Sequence, residues 1–155
     1  MIPKTELRYS TIYNKMFNQE FSRTDLTKLK QDCNNFEKLY NKYVNKILKL
    51  IEKHHRKEWK YKSIPIYIVK DAPNCFSDPL TLKYYENEKM MLVLLAHELL
   101  HNNFAGKWNF KSSKELHKYM EPVLNKIIID LNLNLEEELK ILNKKTMELA
   151  TKNSK

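Results

Sequence analysis

Apolar residues follow a helical rhythm over much of this 155-residue chain. From Leu26 to Ile51 they recur at steps of three and four, with lysine, asparagine and acidic residues between them. The pattern predicts an amphipathic helix of about thirty residues, for which Ser22 or Thr24 offers an N-cap. One isolated segment of this length is more typical of a backing helix laid over a sheet than of a coiled-coil seam. Residues 1–22 lack one clear period and predict a short helix or an extended arm packed on the body.

A small sheet of two or three strands is predicted after this helix. Residues 64–69 read as a strand, with Pro65 near its beginning or on an edge. Residues 72–79 are rich in turn formers and predict a loop. Residues 81–85 form a second short strand whose alternation is typical of a sheet edge, where an extended peptide could add as a further strand.

Three more helices complete the predicted fold. The first runs from Asn87, a possible N-cap, to about Ala105, and the only glycine, Gly106, is suited to end it. Ser112 and the glutamate three residues later form a capping-box signature for the next helix, which runs towards Leu131. The segment 134–155 predicts a final charged helix and tail. The expected class is therefore a helix-rich α+β fold in a single domain, residues 1–155.

Composition indicates the cellular compartment in which the protein is expected. The beginning of the chain lacks the apolar core of a signal peptide, and the longest apolar run, 90–96, is far shorter than the roughly 20 residues of a membrane span. Cys33 and Cys75 have no metal-type spacing and need not be paired. We therefore expect a cytoplasmic protein with reduced thiols and no membrane span.

The net charge of +9 makes acidic partners, nucleic acid among them, an alternative to weigh. Residues 53–62 set Trp59 and Tyr61 among basic side chains, a mixture that can stack on and neutralise a single strand. A solvated helix end with two anchoring aromatics is the commoner explanation of such a segment. Nucleic-acid binding is therefore not favoured.

The chemistry of the chain centres on His97-Glu98-Leu99-Leu100-His101, an HExxH pentapeptide in an apolar run. Residues four apart share a helix face, so both imidazoles can point at one metal ion, for which Zn2+ is the expected cofactor. Glu98 can then take a proton from the water that the ion activates. The alternative is a buried helix with two hydrogen-bonded histidines.

A catalytic zinc site usually needs a third protein ligand. The metzincin extension of HExxH is absent, because Phe104 and Lys107 stand where it requires glycine and histidine. The donors that remain on the next helix are Glu115, His117 and Glu121, and Glu115 already belongs to the capping box. His117, Glu121 and Asn125 follow one another at steps of four, so they share one face. Pro122 weakens this face argument, because proline bends or breaks a helix.

At this point the chain resembles the gluzincins, zinc peptidases related to thermolysin, and above all their minimal members, the minigluzincins. In that family a glutamate on the helix after HExxH completes the site, and an Asp or Asn four residues later supports a histidine. Glu121-Pro122-Val123-Leu124-Asn125 matches this pattern. The resemblance implies zinc ligands His97, His101 and Glu121, with Asn125 in the supporting position. It also implies that a His or Tyr polarises the substrate carbonyl, a role open to His117.

Three tyrosines, Tyr84, Tyr85 and Tyr119, compete with His117 for that last role. A second resemblance gives His117 a different role, that of the third metal ligand. In SprT-like proteases, which act on proteins bound to DNA, a histidine at about this distance after HExxH completes the metal site. The positive charge of the chain suits that family, but the cysteine-rich zinc segment common in it is missing.

The sequence therefore predicts zinc-dependent hydrolysis of peptide bonds in a peptide or protein substrate, with Glu98 as general base. Glu121 is preferred as third ligand, and His117 is the alternative. A latent or non-catalytic zinc scaffold is a further alternative, because segments 1–22 and 134–155 flank the minimal core and either could cover the cleft.

Overall fold

The computed structural model describes residues 1–104 and 112–152, the side chains of 147 and 149–152 excepted. Within these residues the chain forms six helices and one four-stranded mixed sheet, which confirms the helix-rich α+β class. The elements are, in chain order, β1 Lys4–Arg8, α1 Thr11–Lys15, α2 Arg23–Asp32, α3 Asn34–His55, β2 Ser63–Val69, β3 Phe76–Ser77, β4 Leu80–Lys83, α4 Glu88–Phe104, α5 Ser113–Leu131 and α6 Glu136–Lys152.

The sheet is larger than predicted because the N-terminal arm contributes to it. The strand order is β1-β2-β4-β3; β1 and β4 run parallel to β2, and β3 runs antiparallel to β4. Pro65 lies near the beginning of β2, before the pairing with β4 starts at Tyr67, so its missing N–H costs that ladder nothing. The prediction of two or three strands was therefore too low. The two strands placed in the sequence are β2 and β4, and the structure adds β1, from residues 1–22, and the short β3, which lies in residues 72–79 that were predicted to be a loop.

The prediction that residues 81–85 form an edge strand was also wrong. Strand β4 lies inside the sheet, and the edge on that side is β3. Thr81 looks like a solvent-facing position in the sequence but is fully buried. Its hydroxyl donates to the Pro79 carbonyl (2.9 Å) and lies 2.8 Å from the hydroxyl of Tyr13, on helix α1, which covers this face of the sheet.

Helix α1 is held on the sheet by a buried amide. The side chain of Asn14 is 1% exposed; its Nδ2 donates to the Ile68 carbonyl (3.3 Å) and its Oδ1 accepts the Lys70 N–H (3.0 Å). These bonds give partners to backbone groups at the end of β2 that the sheet would otherwise leave unpaired.

The predicted helix of about thirty residues is two helices, α2 and α3, that meet at Cys33. Cys33 lies at the edge of the right-handed helical region (φ −80°, ψ −2°) and is fully buried. Two asparagines follow it, a residue type that favours caps over helix interiors. Ser22 caps α2 with a complete capping box to Asp25, as the sequence suggested.

Helix α4 carries the HExxH motif and is buried on nearly all sides, as expected of a helix that is apolar all round. It packs against β3 and β4 of the sheet and against α3, α5 and α6. The Oδ1 of Asn87 accepts the Met90 N–H (3.0 Å), which confirms the predicted N-cap. The predicted glycine end at Gly106 lies outside the described residues.

Helices α5 and α6 complete the body. Ser112 caps α5 by accepting the Glu115 N–H, and α5 continues through Pro122 without interruption. Helix α6 packs on α5 and α4 through buried leucines, namely Leu135, which precedes it, with Leu139 and Leu142. None of the described helices combines the length and apolar character needed to cross a membrane. Cys33 and Cys75 are both free thiols.

Candidate metal centre

Three histidines from two helices meet beside the sheet. His97 and His101 lie one turn apart on α4, and His117 faces them from α5. The Nε2 atom of His101 lies 3.1 Å from that of His97 and 3.2 Å from that of His117. The rings of His97 and His117 are parallel within 7°, while the ring of His101 stands at 82° to both. The three histidines therefore bring one donor nitrogen each to within 4.8 Å of one another.

The spacing of these nitrogens fits a first-row metal ion. Around a tetrahedral zinc ion, at zinc–nitrogen distances of about 2.0–2.1 Å, the ligand nitrogens lie about 3.3 Å apart. The two measured separations, 3.1 and 3.2 Å, are close to that value. Imidazole nitrogens also suit copper, iron and nickel, so the donor set alone does not choose among these metals.

The protonation state of the cluster favours metal binding. Burial lowers the pKa of His97 well below its ordinary value, and the neighbouring His101 and His117 lower it further. Burial, with His117 beside it, lowers the pKa of His101 to about 4. Burial also lowers the pKa of His117, partly offset by a hydrogen bond to Ser113. Near neutral pH all three rings are neutral, and neutral imidazole is the form that binds metals.

Ser113 orients the ring of His117. The backbone carbonyl of Ser113 accepts a hydrogen bond from Nδ1 of His117 at 2.7 Å, and the serine hydroxyl lies 3.2 Å from the same atom. A carbonyl oxygen only accepts, so the proton is on Nδ1 and the lone pair of Nε2 points to the other two histidines. This contact was not predicted, although Ser113 lies one turn before His117, the direction in which helical side chains lean.

Glu98 directly follows His97 on α4 and is 7% exposed. Burial raises the pKa of its carboxyl to about 8. The thiol of Cys75, just before β3, is close enough for the Glu98 carboxylate to help raise its pKa to about 12, the larger cause being burial. A cation held by the three histidines would lower the pKa of Glu98 again, because a nearby opposite charge favours the ionised form.

Glu121, the preferred third ligand, is not one of the three converging groups. It is exposed on α5, and its Oε1 accepts a hydrogen bond from Asn143 of α6 at 3.3 Å. It does line the same cavity as His97 and His117. The structure thus brings the alternative ligand, His117, into the cluster and leaves Glu121 at its rim.

The other predicted site residues lie further out. Asn125 is half-buried on α5, and no hydrogen bond joins it to the histidines in the described part of the chain. Tyr84 lies near Asp32 and Cys33, at the start of α3, whereas Tyr85 lies near Cys75 and therefore on the side of Glu98. Tyr119 is 57% exposed on α5.

Helix α6, which lies in the segment 134–155 that could cover the cleft, forms a wall of the site, although its lining residues were not predicted. Asn143 and Thr146 line the cavity together with His97 and His117. The space inside is about 20 Å³, room for about one water molecule. Lys145 of the same helix lies 5.4 Å from the ring centre of Tyr85.

No family model, curated protein or solved structure matches the chain. What the site does is therefore inferred from its own residues. A convergent set of three neutral imidazoles with a buried carboxyl beside it is able to hold a metal ion and to exchange a proton close to it.

Proposed function

We propose that this protein is a zinc-dependent hydrolase of peptide bonds, with the ion held by His97, His101 and His117. The observation that carries the proposal is the proximity of three imidazoles, with Nε2 separations of 3.1 and 3.2 Å, on a helix that also buries Glu98, the residue after His97. Three histidines with one open position form a known type of catalytic zinc site. His117 as third ligand strengthens the resemblance to SprT-like proteases over that to the gluzincins.

The residues of the chain have separate tasks in this reaction. When bound, zinc supplies a Lewis acid that polarises a carbonyl oxygen and lowers the pKa of water. Glu98 accepts a proton from the attacking water as the water oxygen bonds to the peptide carbonyl carbon. Glu98 then passes that proton to the amide nitrogen, the C–N bond breaks, and a carboxylic acid and an amine are released. Ser113 keeps the His117 lone pair turned to the ion.

A peptide is the substrate best suited to the sheet edge beside the site. Strand β3, Phe76–Ser77, is the edge strand, and it packs against the motif helix α4. Asn102, next to His101, donates its side-chain N–H to the Ser77 carbonyl and so ties this edge to the helix. An extended peptide that adds to an exposed strand edge is a common recognition mode.

The experiment combines metal analysis with hydrolysis of a quenched-fluorescent peptide library by the full chain. Glu98→Gln keeps the shape of the side chain, so we expect normal zinc content and hydrolysis reduced about 10²- to 10⁴-fold, the usual contribution of a general base. His97→Ala should lose the metal. His54→Ala, which removes a histidine that is bound to Asp130 on the far side of α5, should retain both properties.

Two results would contradict the proposal. One is wild-type protein that contains no zinc after purification without chelators and takes up none on titration. The other is a Glu98→Gln variant that cleaves the library as fast as the wild type does. The first rejects the metal centre, and the second rejects the role of Glu98.

The position of α6 favours a second candidate, a latent form of the same enzyme. Asn143 and Thr146 confine the cavity to about the volume of one water, which excludes a peptide. A recognition sequence for a separate, sequence-specific protease, inserted between Leu133 and Leu135, would allow the folded protein to be cut there. Cleavage should release α6 and raise hydrolysis. If the cut protein still binds zinc but remains inactive, latency is contradicted.

A further inference from the structure

The sheet has an outer face that is crossed by one row of paired residues. In register, the row consists of Arg8 on β1, Tyr67 on β2, Thr81 on β4 and Phe76 on β3. Paired residues on neighbouring strands point to the same face of a sheet. The alternate positions of β2 are buried isoleucines that belong to the core with α3 and α4. The row therefore faces away from these helices and from the metal centre.

Helix α1 lies on this outer face through aromatic contacts. The ring centres of Tyr13 and Tyr67 are 4.6 Å apart. Phe17, just after α1, stacks on Phe76 with ring centres 6.2 Å apart and planes within 16°. These contacts fix one side of α1 on the sheet and leave its other side turned outward.

The outward side of α1 is apolar. Ile12 and Met16, one helical turn apart, are 82% and 71% exposed, and Phe76 beside them is 37% exposed. We call Ile12, Met16, Phe17 and Phe76 the outer patch. An exposed apolar patch on a folded protein commonly marks the surface that a partner covers.

Exposed charges of both signs border the outer patch. Three are basic and three are acidic, namely Lys4, Arg8 and Lys15 with Glu6, Glu20 and Asp71. A border of balanced charge can complement a second copy of itself. A helix that binds an anionic membrane instead carries a predominance of lysine and arginine around its apolar residues. The border therefore favours a copy of the same chain as the partner.

We propose that the outer patch is the interface of a twofold homodimer of this chain. In a twofold interface the same patch from each copy meets the other, so Ile12 and Met16 of both copies pack together. Each basic group of the border can then approach an acidic group of the second copy. Aromatic residues, methionine and arginine, all present here, are enriched at the centres of protein interfaces.

The charge of the rest of the chain supports this choice of face. Each copy carries a net charge of +9, so two copies repel one another. Exposed lysines of α3, such as Lys38, Lys42 and Lys49, lie on the opposite side of the sheet. Contact through the outer patch keeps these lysines at the two far ends of the dimer. Salt screens the repulsion that remains, so we expect the dimer to become tighter as salt increases.

The size of the face predicts a dimer that dissociates on dilution. Four strands spaced about 4.8 Å apart and seven residues of β2 give a face of about 14 Å by about 23 Å. Stable complexes usually bury about 800 Å² on each partner. The outer face is smaller than that, which is typical of a transient interface.

The test is analytical ultracentrifugation of the full-length protein from about 5 to about 200 µM. A thiol reductant is present because Cys33 and Cys75 are free. The mass should rise with concentration from the 18.7 kDa of one chain towards twice that value. Ile12→Ser and Met16→Ser in one chain should raise the dimer Kd at least about 100-fold, because both side chains occur twice in the interface.

The matched control is Ile129→Ser with Ile141→Ser, which removes two exposed apolar side chains from α5 and α6. We expect the control to keep the wild-type Kd, and circular dichroism verifies that both variants are folded. A second measurement uses the unaltered protein. Peroxide should oxidise Met16 more slowly at 200 than at 5 µM protein, whereas Met1, which is 82% exposed and outside the outer patch, should react equally at both concentrations.

Several outcomes would overturn the proposal. One is a protein that stays monomeric up to 200 µM, and another is a dimer that the Ile12 and Met16 substitutions leave intact. Equal weakening in the control means that association is non-specific. A dimer that weakens as salt increases is held by opposite charges and not by the outer patch. If monomers bind phosphatidylserine vesicles through Ile12 and Met16, a lipid surface covers the patch instead. Each readout is independent of zinc and of hydrolysis.

Discussion

Removing one imidazole from the three-histidine cluster should weaken zinc binding far more than removing the carboxylate at its rim. Structural zinc sites with four ligands bind with about 10–16 kcal/mol, so one ligand accounts for about 2.5–4 kcal/mol. At 1.4 kcal/mol per tenfold change, His117→Ala should raise the zinc Kd about 100- to 1,000-fold. Glu121 is exposed and hydrogen-bonded to Asn143, so Glu121→Ala should change Kd less than about tenfold.

The assay is a competition titration of zinc against a chromophoric chelator, with the full chain at neutral pH. His97→Ala sets the scale for the loss of a proposed ligand from the HExxH motif. His54→Ala serves as the control, because this histidine is bound to Asp130 and lies outside the cluster. Thermal unfolding in the presence of chelator verifies that each variant is folded before its affinity is compared.

The result that would refute the reasoning is the reverse order of the two effects. If Glu121→Ala loses zinc several hundredfold and His117→Ala loses less than tenfold, the metal is held as the gluzincin resemblance implied. The convergence of His117 on His101 would then not describe the metal-bound site. If neither variant differs from wild type, the third ligand comes from neither residue.

Three further predictions concern stability and are checked by urea unfolding. Asn14→Ala should cost about 1–3 kcal/mol, because it leaves the Lys70 N–H without its partner, and a loss similar to that of the exposed Asn45→Ala would contradict this. Leu95→Ala, at a fully buried position of α4, should cost about 2–5 kcal/mol; a cost under 1 kcal/mol would mean that this position is not packed as described. Hydrogen bonds from His54 and Lys53 lower the pKa of the Asp130 carboxyl, so its ionised form stabilises the fold. Asp130→Asn should therefore be less stable than wild type at neutral pH, with the difference lost as the pH falls through about 4 and below, and a pH-independent difference would contradict it.

Regular hydrophobic periods predicted most of the elements of this fold. Helix α4 follows directly from its apolar run and from Asn87, whose side chain caps it as expected. Ser22 and Ser112 likewise cap the helices that their patterns announced. These features depend on residues within four positions of one another, so a single sequence contains the information that specifies them.

The misassigned elements depend on partners far away in the chain. Strand β1 has no apolar run of its own and exists because β2 offers it a parallel edge. Thr81 looks solvent-facing, but Tyr13 of α1 covers it. The polarity of a strand position indicates its environment only when the element above it is known, and α1 lies more than sixty residues earlier.

The choice of third ligand illustrates the same point at the level of chemistry. His117 and Glu121 are separated by one helical turn, about 6 Å along the axis of α5. Both lie on one face, and the local sequence suits either of them. What distinguishes them is how far α5 is displaced along α4, which is set by the packing of Met120, Leu124 and Ile127 into the core. A shift of one turn would bring Glu121 to the place that His117 now has, so the resemblance to a motif could not determine the ligand.

In the observed packing, the bond from His117 to the Ser113 carbonyl orients the ring for a metal, whereas the carboxylate of Glu121 is bound to Asn143. The identity of the proposed third ligand therefore depends on the α4–α5 interface, and substitutions that repack Leu124 should alter zinc affinity without touching a proposed ligand.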